Sequence, residues 1–191
     1  MPRSADATRQ RILDAAYAQF YRKGFARVGV DEVAEAAKVT KRTLYYHFDS
    51  KDELLAAVLD AQHELAMSTF RGWADRLEGN TAEIVTRLFA DLSAWSAKPR
   101  FSGSGFTRLA MELADLPGHP ARAAARRHKG LIEAQLADLL AKSKVGKPAE
   151  TAREIVLLLE GATNLILIHG DRGYTDAAAR AAKVLLRARR R

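Results

Sequence analysis

Apolar residues recur along this chain at helical spacing, and no convincing run of them alternates with a period of two. Ile12, Ala16 and Phe20, for example, are four residues apart and therefore fall on one side of a helix. Capping residues, Gly and Pro divide the pattern into segments. The spacing predicts an all-α protein of about nine helices, three short ones followed by six longer ones.

The composition limits the class of protein. Of the 191 residues, 48% are hydrophobic, which is enough to bury a core, and the absence of Cys excludes disulfides and thiolate sites. The N-terminus has no apolar signal segment, and polar residues interrupt the longest apolar stretch, Ile155 to Ile168. That stretch is also shorter than the ~20 residues of a membrane span. We therefore expect a soluble, cytoplasmic protein with no membrane partner.

The net charge of +8 favours a polyanionic partner, either nucleic acid or an anionic membrane surface. The first 53 residues, however, hold ten Lys and Arg against eight Asp and Glu, so the excess lies elsewhere. Any prediction of DNA binding must therefore depend on particular residues.

The three short helices are followed by a capping box, Ser50 to Glu53, which starts a fourth helix that we expect to reach about Glu78. Gly24 ends the first helix, and Thr40 is placed to cap the third. The pattern predicts a module over residues 1–50 and a larger helical domain over residues 51–191. The module has the proportions of a helix-turn-helix, in which a third helix enters the major groove.

The third short helix has two chemically different sides. Leu44 and Phe48 are four residues apart and are predicted to face a core with Ile12 and Val33. Cations suit guanine edges and phosphates, and hydroxyls suit phosphate oxygens. Lys51, at the start of the fourth helix, is predicted to bind a phosphate. The predicted DNA-binding residues are Thr40, Lys41, Arg42, Thr43, Tyr45, Tyr46, His47 and Lys51.

These residues form a familiar motif, Thr43-Leu44-Tyr45-Tyr46-His47-Phe48 followed by Ser50-Lys51. With the apolar pattern that precedes it, the motif closely resembles the DNA-binding domain of the tetracycline-repressor (TetR/AcrR-like) family. The resemblance is dense over about the first quarter of the chain. Beyond that, only the number and length of the helices agree.

The resemblance implies a homodimeric transcriptional regulator, usually a repressor that a small ligand releases from a palindromic operator. By position, Thr40 to Thr43 would approach bases or nearby phosphates, whereas Tyr45, Tyr46, His47 and Lys51 would hold the backbone. Two residues depart from the family. Lys38 stands where glycine is common, and would be mildly strained if its φ is positive. Gly29 replaces the usual Thr or Ser helix cap.

The eighth helix is apolar nearly all round, and the ninth has a small-residue face, so we predict a four-helix dimer interface. A plain monomer core is the alternative. Glu160, Thr163 and Asn164 share one side of the eighth helix, where they either hydrogen-bond internally or across the interface, or line a pocket. The predicted interface residues are Leu158, Gly161, Ala162, Leu165, Ala178, Ala181 and Leu185.

The large aromatic residues concentrate in the fourth to seventh helices, where the resemblance places an inducer cavity. A small, largely apolar ligand would suit such a cavity, although each aromatic taken alone is more typical of a core than of a ligand site. The predicted lining is Phe70, Trp73, Phe89, Trp95, Phe106, Met111, His128 and Asn164.

The sequence lacks the motifs that would indicate an enzyme or a metal site. The five histidines lack ligand spacing such as H-E-x-x-H, and there is no nucleophile elbow or phosphate loop. We therefore expect no enzyme, catalytic residue, metal or cofactor. A helical adaptor and a ligand-independent architectural DNA binder stay open as alternatives. The basic C-terminal end, residues 187–191, is interpreted as a solvated tail rather than a second phosphate contact.

Overall fold

The computed structural model describes residues 2–74 and 81–189, with the side chains of residues 5–68, 71 and 81–189. These residues form nine helices and no strand, which confirms the all-α prediction. The helices are α1 (Pro2–Lys23), α2 (Val30–Ala36), α3 (Lys41–His47), α4 (Lys51–Ala74), α5 (Thr81–Ser96), α6 (Gly105–Glu112), α7 (Pro120–Lys142), α8 (Pro148–His169) and α9 (Gly173–Ala188).

Local sequence signals set most helix ends. Gly24 adopts a left-handed φ of 89° directly after α1, and its N–H donates to the carbonyl of Phe20 at 2.9 Å. Before α4, the Ser50 hydroxyl accepts from the N–H of Glu53 at 3.0 Å, as in a capping box. The helix α9 begins at Gly173, so Thr175 lies buried inside its first turn.

The chain divides into two compact units. The first unit comprises Met1–Leu65 and Gly105–His128, and the second comprises Ala66–Ser104 and Lys129–Arg191. This division differs from a boundary after residue 50, because the start of α4, all of α6 and the start of α7 pack with α1, α2 and α3. The apolar spacing of one helix does not report which distant helix will cover it.

The core of the first unit joins residues that are far apart in sequence. Ile12, Leu44 and Leu54 are completely buried, and Phe106 and Leu109 of α6 belong to the same cluster. Each such leucine contributes roughly 1.5–3 kcal/mol on burial. The short helices α2 and α3 are therefore held mainly by packing and only slightly by their own helix propensity.

The second unit has its own core. Phe89 of α5, Leu136 of α7 and Ile155 of α8 are buried together, and Ala182 brings α9 against them. In this unit α9 packs on α8 and α5. Among the helices described, none is both long enough and apolar enough to cross a membrane.

Candidate DNA-binding site

Short-range hydrogen bonds define both ends of α3. The Thr40 hydroxyl accepts from the N–H of Thr43 at 3.0 Å, which satisfies one of the free donors of the first turn. At the other end, Phe48 adopts an extended conformation and its N–H donates to the carbonyl of Leu44 at 3.0 Å. The prediction that Thr40 caps this helix is confirmed.

The inner side of α3 is apolar and inaccessible. Leu44 is 0% exposed and Phe48 is 1% exposed, in one cluster with Ile12 and Val33. Two fully buried anchors four residues apart fix both the rotation of the helix and its distance from the core. The opposite side of the helix is therefore forced outward.

That outer side carries the predicted DNA-binding residues. Lys41, Arg42, Tyr45 and Tyr46 are exposed, and the Tyr46 side chain reaches 82% exposure. Thr40 is exposed as well, whereas Thr43 and His47 are half-buried at the flanks of the helix. Their accessibility agrees with the predicted division of the helix into two sides. Their contacts with DNA stay a prediction.

The two cations at the start of α3 differ in their surroundings. Lys41 forms an exposed ion pair with Asp31 of α2 at 3.0 Å, and the hydrogen bond to that carboxylate raises the pKa of the lysine above its ordinary value. Arg42 is exposed and has no hydrogen-bond or ion-pair partner among the residues that the structure describes. Arg42 is thus the cation whose donors are already available to a partner.

Lys51 makes contacts that its position in the sequence did not indicate. Its Nζ atom donates to the carbonyl of Phe25 at 2.7 Å and lies 4.1 Å from the centre of the Phe25 ring. Burial lowers the pKa of this ammonium below its ordinary value. The amine is therefore directed toward the turn between α1 and α2, and its contact with a DNA phosphate stays a prediction.

The two departures from the family pattern are accommodated. Lys38 has a φ of 55°, so the strain anticipated for a side chain at that position is present. Gly29 caps α2 without a side chain, and the Glu32 carboxylate accepts its N–H at 3.4 Å. Both turns thus keep the geometry that α2 and α3 require.

The residues predicted for a ligand pocket are divided between the two units. Met111 is 65% exposed on α6, and the Phe106 ring stacks on His128 with 3.7 Å between ring centres. Asn164 shares the outward side of α8 with Gly161. Phe106, Met111 and His128 belong to the first unit, and Phe89, Trp95 and Asn164 to the second. The predicted side chains of Phe70 and Trp73 lie outside the described residues.

A cavity of about 530 Å³ lies instead at the ends of α5 and α8 in the second unit. Large aromatics were a poor guide to its position, because most of those described fill core space. Its lining residues are Ser96, Ala97, Phe101, Ile166, Leu167, Gly170 and Arg172, none of which was predicted.

The predicted interface residues divide between the core and the surface. Ala162 and Ala178 are 4% and 8% exposed and pack in the core of the second unit, so they are not available to a second chain. Leu165 and Ala181 are exposed, and Leu158, Gly161 and Leu185 are half-buried. Sequence reasoning missed the most exposed aliphatic residues of the two helices, Leu157, Ile168 and Val184.

The spacing of these residues in the sequence could have identified them. Gly161 and Ile168 follow Leu157 by four and eleven residues, so all three share one side of α8. Ala181 and Val184 share one side of α9 in the same way. Both helices are thus apolar on the inward and the outward side. Within the described ranges, no group of three or more His, Asp and Glu is placed to hold a metal ion.

The chain resembles known proteins in its first quarter and in its whole fold. Residues 12–58 match the family model of bacterial regulatory proteins of the tetR family. Over 60 residues, it is 45% identical to the HTH-type transcriptional regulator TtgR of Pseudomonas putida. The aligned region covers 31% of this chain and 29% of TtgR. It is also 38% identical over 82 residues to the HTH-type transcriptional repressor SCO4008 of Streptomyces coelicolor. That match covers 39% of this chain and 43% of the repressor.

Solved structures extend the similarity to both units. A putative TetR transcriptional regulator of Streptomyces avermitilis has 30% sequence identity and a TM-score of 0.82, over 95% of this chain and 97% of that chain. SCO4454, a TetR-family transcriptional regulator of Streptomyces coelicolor, has 26% identity and a TM-score of 0.83, over 96% of each chain. The aligned regions of the curated relatives, in contrast, span less than half of their length.

Proposed function

The chain belongs to the TetR family of transcriptional regulators, and from that premise we propose that it binds double-stranded DNA as a homodimer and represses transcription from a palindromic operator. The observation that carries this proposal is the outer side of α3. Its cations and phenols face solvent while Leu44 and Phe48 anchor the helix from behind. A protein of this kind acts where the chromosome is, in the cytoplasm.

We assign different tasks to the exposed groups. The Arg42 guanidinium, which has no partner within the described residues, suits bidentate contact with a guanine edge in the major groove. Thr40, Lys41 and Thr43 would lie at neighbouring bases or phosphates. The hydroxyls of Tyr45 and Tyr46, together with His47, suit phosphate oxygens and would set the register of the helix without reading sequence.

Support for the homodimer comes from the outward sides of α8 and α9. Leu157 and Ile168 are 67% and 71% exposed, Val184 is 62% exposed, and a Cβ added at Gly161 would meet nothing within 4 Å. Aliphatic side chains and small residues in this arrangement suit close packing against two helices of a second copy. Two α3 helices about 34–36 Å apart, or a multiple of that, would then require a palindromic operator.

A small, largely apolar ligand is the proposed signal for release. The open cavity at the ends of α5 and α8 is a candidate place for such a ligand. Phe101, Ile166 and Leu167 supply apolar walls, and Arg172 supplies a polar group. These residues replace the aromatics of the sequence-based prediction as candidates for ligand contact.

An unbiased selection from random duplex DNA with the purified full chain tests the proposal. The expected result is one enriched palindrome, bound by two protomers. Enrichment of DNA without a preferred sequence would favour an architectural binder, and no retention of DNA at all would favour a protein adaptor. Either outcome contradicts the regulator. Screening small apolar compounds for loss of operator binding then tests the ligand.

A further inference from the structure

The turn between α1 and α2 is held by a carboxylate from a distant part of the chain. Glu112, the last residue of α6, accepts from the N–H of Phe25 at 3.1 Å and from the N–H of Ala26 at 2.5 Å. The partners are 87 and 86 residues apart in sequence. A carboxylate that accepts two backbone N–H groups forms charge-assisted hydrogen bonds, which are stronger than neutral ones.

A second side chain of α6 holds the end of α1. Arg108 is one helical turn before Glu112, and its Nη1 atom donates to the carbonyl of Tyr21 at 2.8 Å. The last carbonyls of a helix have no partner within the helix, so a guanidinium placed there satisfies one of them. Arg108 and Glu112 therefore both hold the turn between α1 and α2, which we call the corner. Arg108 binds a carbonyl before the turn, and Glu112 binds two amides within it.

The corner is built to receive this carboxylate. Gly24 has a φ of 89°, and a Cβ added there would meet the Glu112 carboxylate oxygens at 3.4 and 3.6 Å. The N–H groups of Phe25 and Ala26, which follow Gly24 in the turn, point toward the same carboxylate, as in an anion-binding concavity. Within the first unit, the occupant of this concavity is Glu112.

The same corner is held from another direction. The Nζ atom of Lys51 donates to the carbonyl of Phe25, and the Phe25 ring meets the edge of His119 with 5.9 Å between ring centres. The backbone N–H and carbonyl of Phe25 are thus both bound by side chains that lie beyond residue 50. Because α2 begins four residues after Ala26, the orientation of α2 and α3 depends on this corner.

We propose that Glu112 and Arg108 are positioning residues for DNA recognition. By fixing the turn between α1 and α2, they set the angle at which α3 meets the major groove. The part of the protein that positions α3 for DNA recognition then includes α6 and is discontinuous in sequence. This inference rests on the proposed function, because positioning matters only if α3 reads DNA.

Full-length Glu112→Gln, which keeps the shape of the side chain but removes its charge, provides the test. The matched control is Asp115→Asn, since Asp115 is exposed and has no hydrogen-bond or ion-pair partner in the described part of the chain. Removing a negative charge by itself should leave DNA affinity unchanged or raise it slightly. We expect Glu112→Gln to weaken operator binding about tenfold without weakening binding to random DNA.

Backbone amide exchange separates positioning from general stability. In Glu112→Gln, the amides of Phe25 and Ala26 should exchange faster while amides within α8 keep their protection. If Glu112→Gln does not fold, Arg108→Gln is measured in its place, with the same expectation for operator selectivity. A variant that loses operator and random affinity in proportion to its folded fraction, or that matches Asp115→Asn, overturns the inference.

Failure of the proposed function has a different signature. In that case the unmodified chain itself does not prefer any DNA sequence. The exchange rates of the Phe25 and Ala26 amides then still report whether Glu112 holds the corner. Unchanged exchange in Glu112→Gln contradicts the positioning role whatever the unmodified chain binds.

Discussion

The outward side of α3 in the first unit and the outward sides of α8 and α9 in the second unit both expose large side chains, but of different chemistry. On α3 the exposed groups are phenols and cations, with Tyr46 at 82% and Tyr45 at 42% exposure. On α8 they are aliphatic, with Leu157 at 67% and Ile168 at 71% exposure. A phenol keeps a hydrogen-bonding group in water, whereas an exposed leucine gains only from removal of water.

This difference indicates two kinds of partner. At α3, the first unit buries Leu44 together with Ile12 and offers a polar surface to solvent, which suits a wet, charged ligand such as DNA. The second unit leaves aliphatic residues uncovered, which suits a dry contact with another protein surface. We therefore expect the polar side of α3 to meet DNA and the aliphatic sides of α8 and α9 to meet a second copy of the chain.

The two sides of α3 provide the largest expected contrast. Phe48→Ala should lower the free energy of unfolding by about 3–5 kcal/mol, because it removes a buried aromatic ring and leaves a cavity. Tyr46→Ala, two residues earlier, should change it by no more than about 0.5 kcal/mol. Denaturant titration of both variants measures the contrast. Similar losses from the two would mean that Tyr46 is packed rather than exposed.

Leu157→Glu tests the aliphatic side of α8. In a two-fold symmetric dimer the change occurs twice, so the loss of two buried leucines should weaken dimerisation by about 3 kcal/mol or more, at least a hundredfold. Sedimentation at several concentrations measures the dimer dissociation constant. Leu131→Glu is the matched control, since Leu131 on α7 is 45% exposed and lies outside the proposed interface. Equal effects of the two changes would argue against an interface on α8 and α9.

Arg42→Ala tests the polar side of α3. If the guanidinium reads a base edge as proposed, operator affinity should fall by about 1–3 kcal/mol, with relaxed preference at one base pair. Lys41→Ala should have a smaller effect, since Lys41 is already paired with Asp31. Titrations at constant salt on operator and random duplexes measure both. A loss of equal size on random DNA would assign Arg42 to the phosphate backbone.

Lys51→Met distinguishes a structural role of this lysine, through its hydrogen bond to Phe25, from a contact with a DNA phosphate. Loss of its hydrogen bond to the Phe25 carbonyl should destabilise the fold by roughly 1 kcal/mol and leave the salt dependence of DNA binding nearly unchanged. The phosphate contact expected from its position at the start of α4 predicts instead a salt slope lower by about one unit. Unfolding and salt titrations of the same variant separate these outcomes.

Removing an exposed ion pair should have the smallest effect on the free energy of unfolding, and its pH dependence should have the same sign in both units. The hydrogen bond with Lys23 holds the pKa of Glu32 below its ordinary value of 4.5, and the hydrogen bond with Lys147 does the same for Glu150. Their stabilisation is complete above 4.5 and is lost as the pH falls through the lowered pKa. Glu32→Gln and Glu150→Gln should each flatten the acid limb of the unfolding curve slightly. A steeper limb would reverse the assigned sign.

Features that depend on neighbours in the chain were predictable. The spacing of Leu44 and Phe48, the Thr40 cap and the glycine after α1 were readable because a helix and its ends are decided within a few residues. The α3 residues exposed in the structure are largely those that the pattern directed outward. The positive φ of Lys38 followed from comparison with the family pattern.

Features that depend on distant neighbours were not predictable. Ala162 and Ala178 were assigned to an interface, yet they face the core of their own unit, because small residues suit either location. The ligand residues were chosen largely for their aromatic side chains, but Phe106 stacks on His128, which is also hydrogen-bonded to His63. Glu112 gave no signal at all, since its partners Phe25 and Ala26 lie in an unremarkable turn far away in sequence.

The amino-acid sequence alone determined the helical class, the positions of most helix ends and the polar side of α3, because these follow from periodicity and from capping within a few residues. Only the tertiary structure decided that α6 packs with α1, α2 and α3, that Lys51 and Glu112 hold the same turn, and which apolar residues of α8 and α9 stay uncovered. Periodicity identifies the sides of a helix, but the element that covers each side is chosen by contacts between residues distant in the chain.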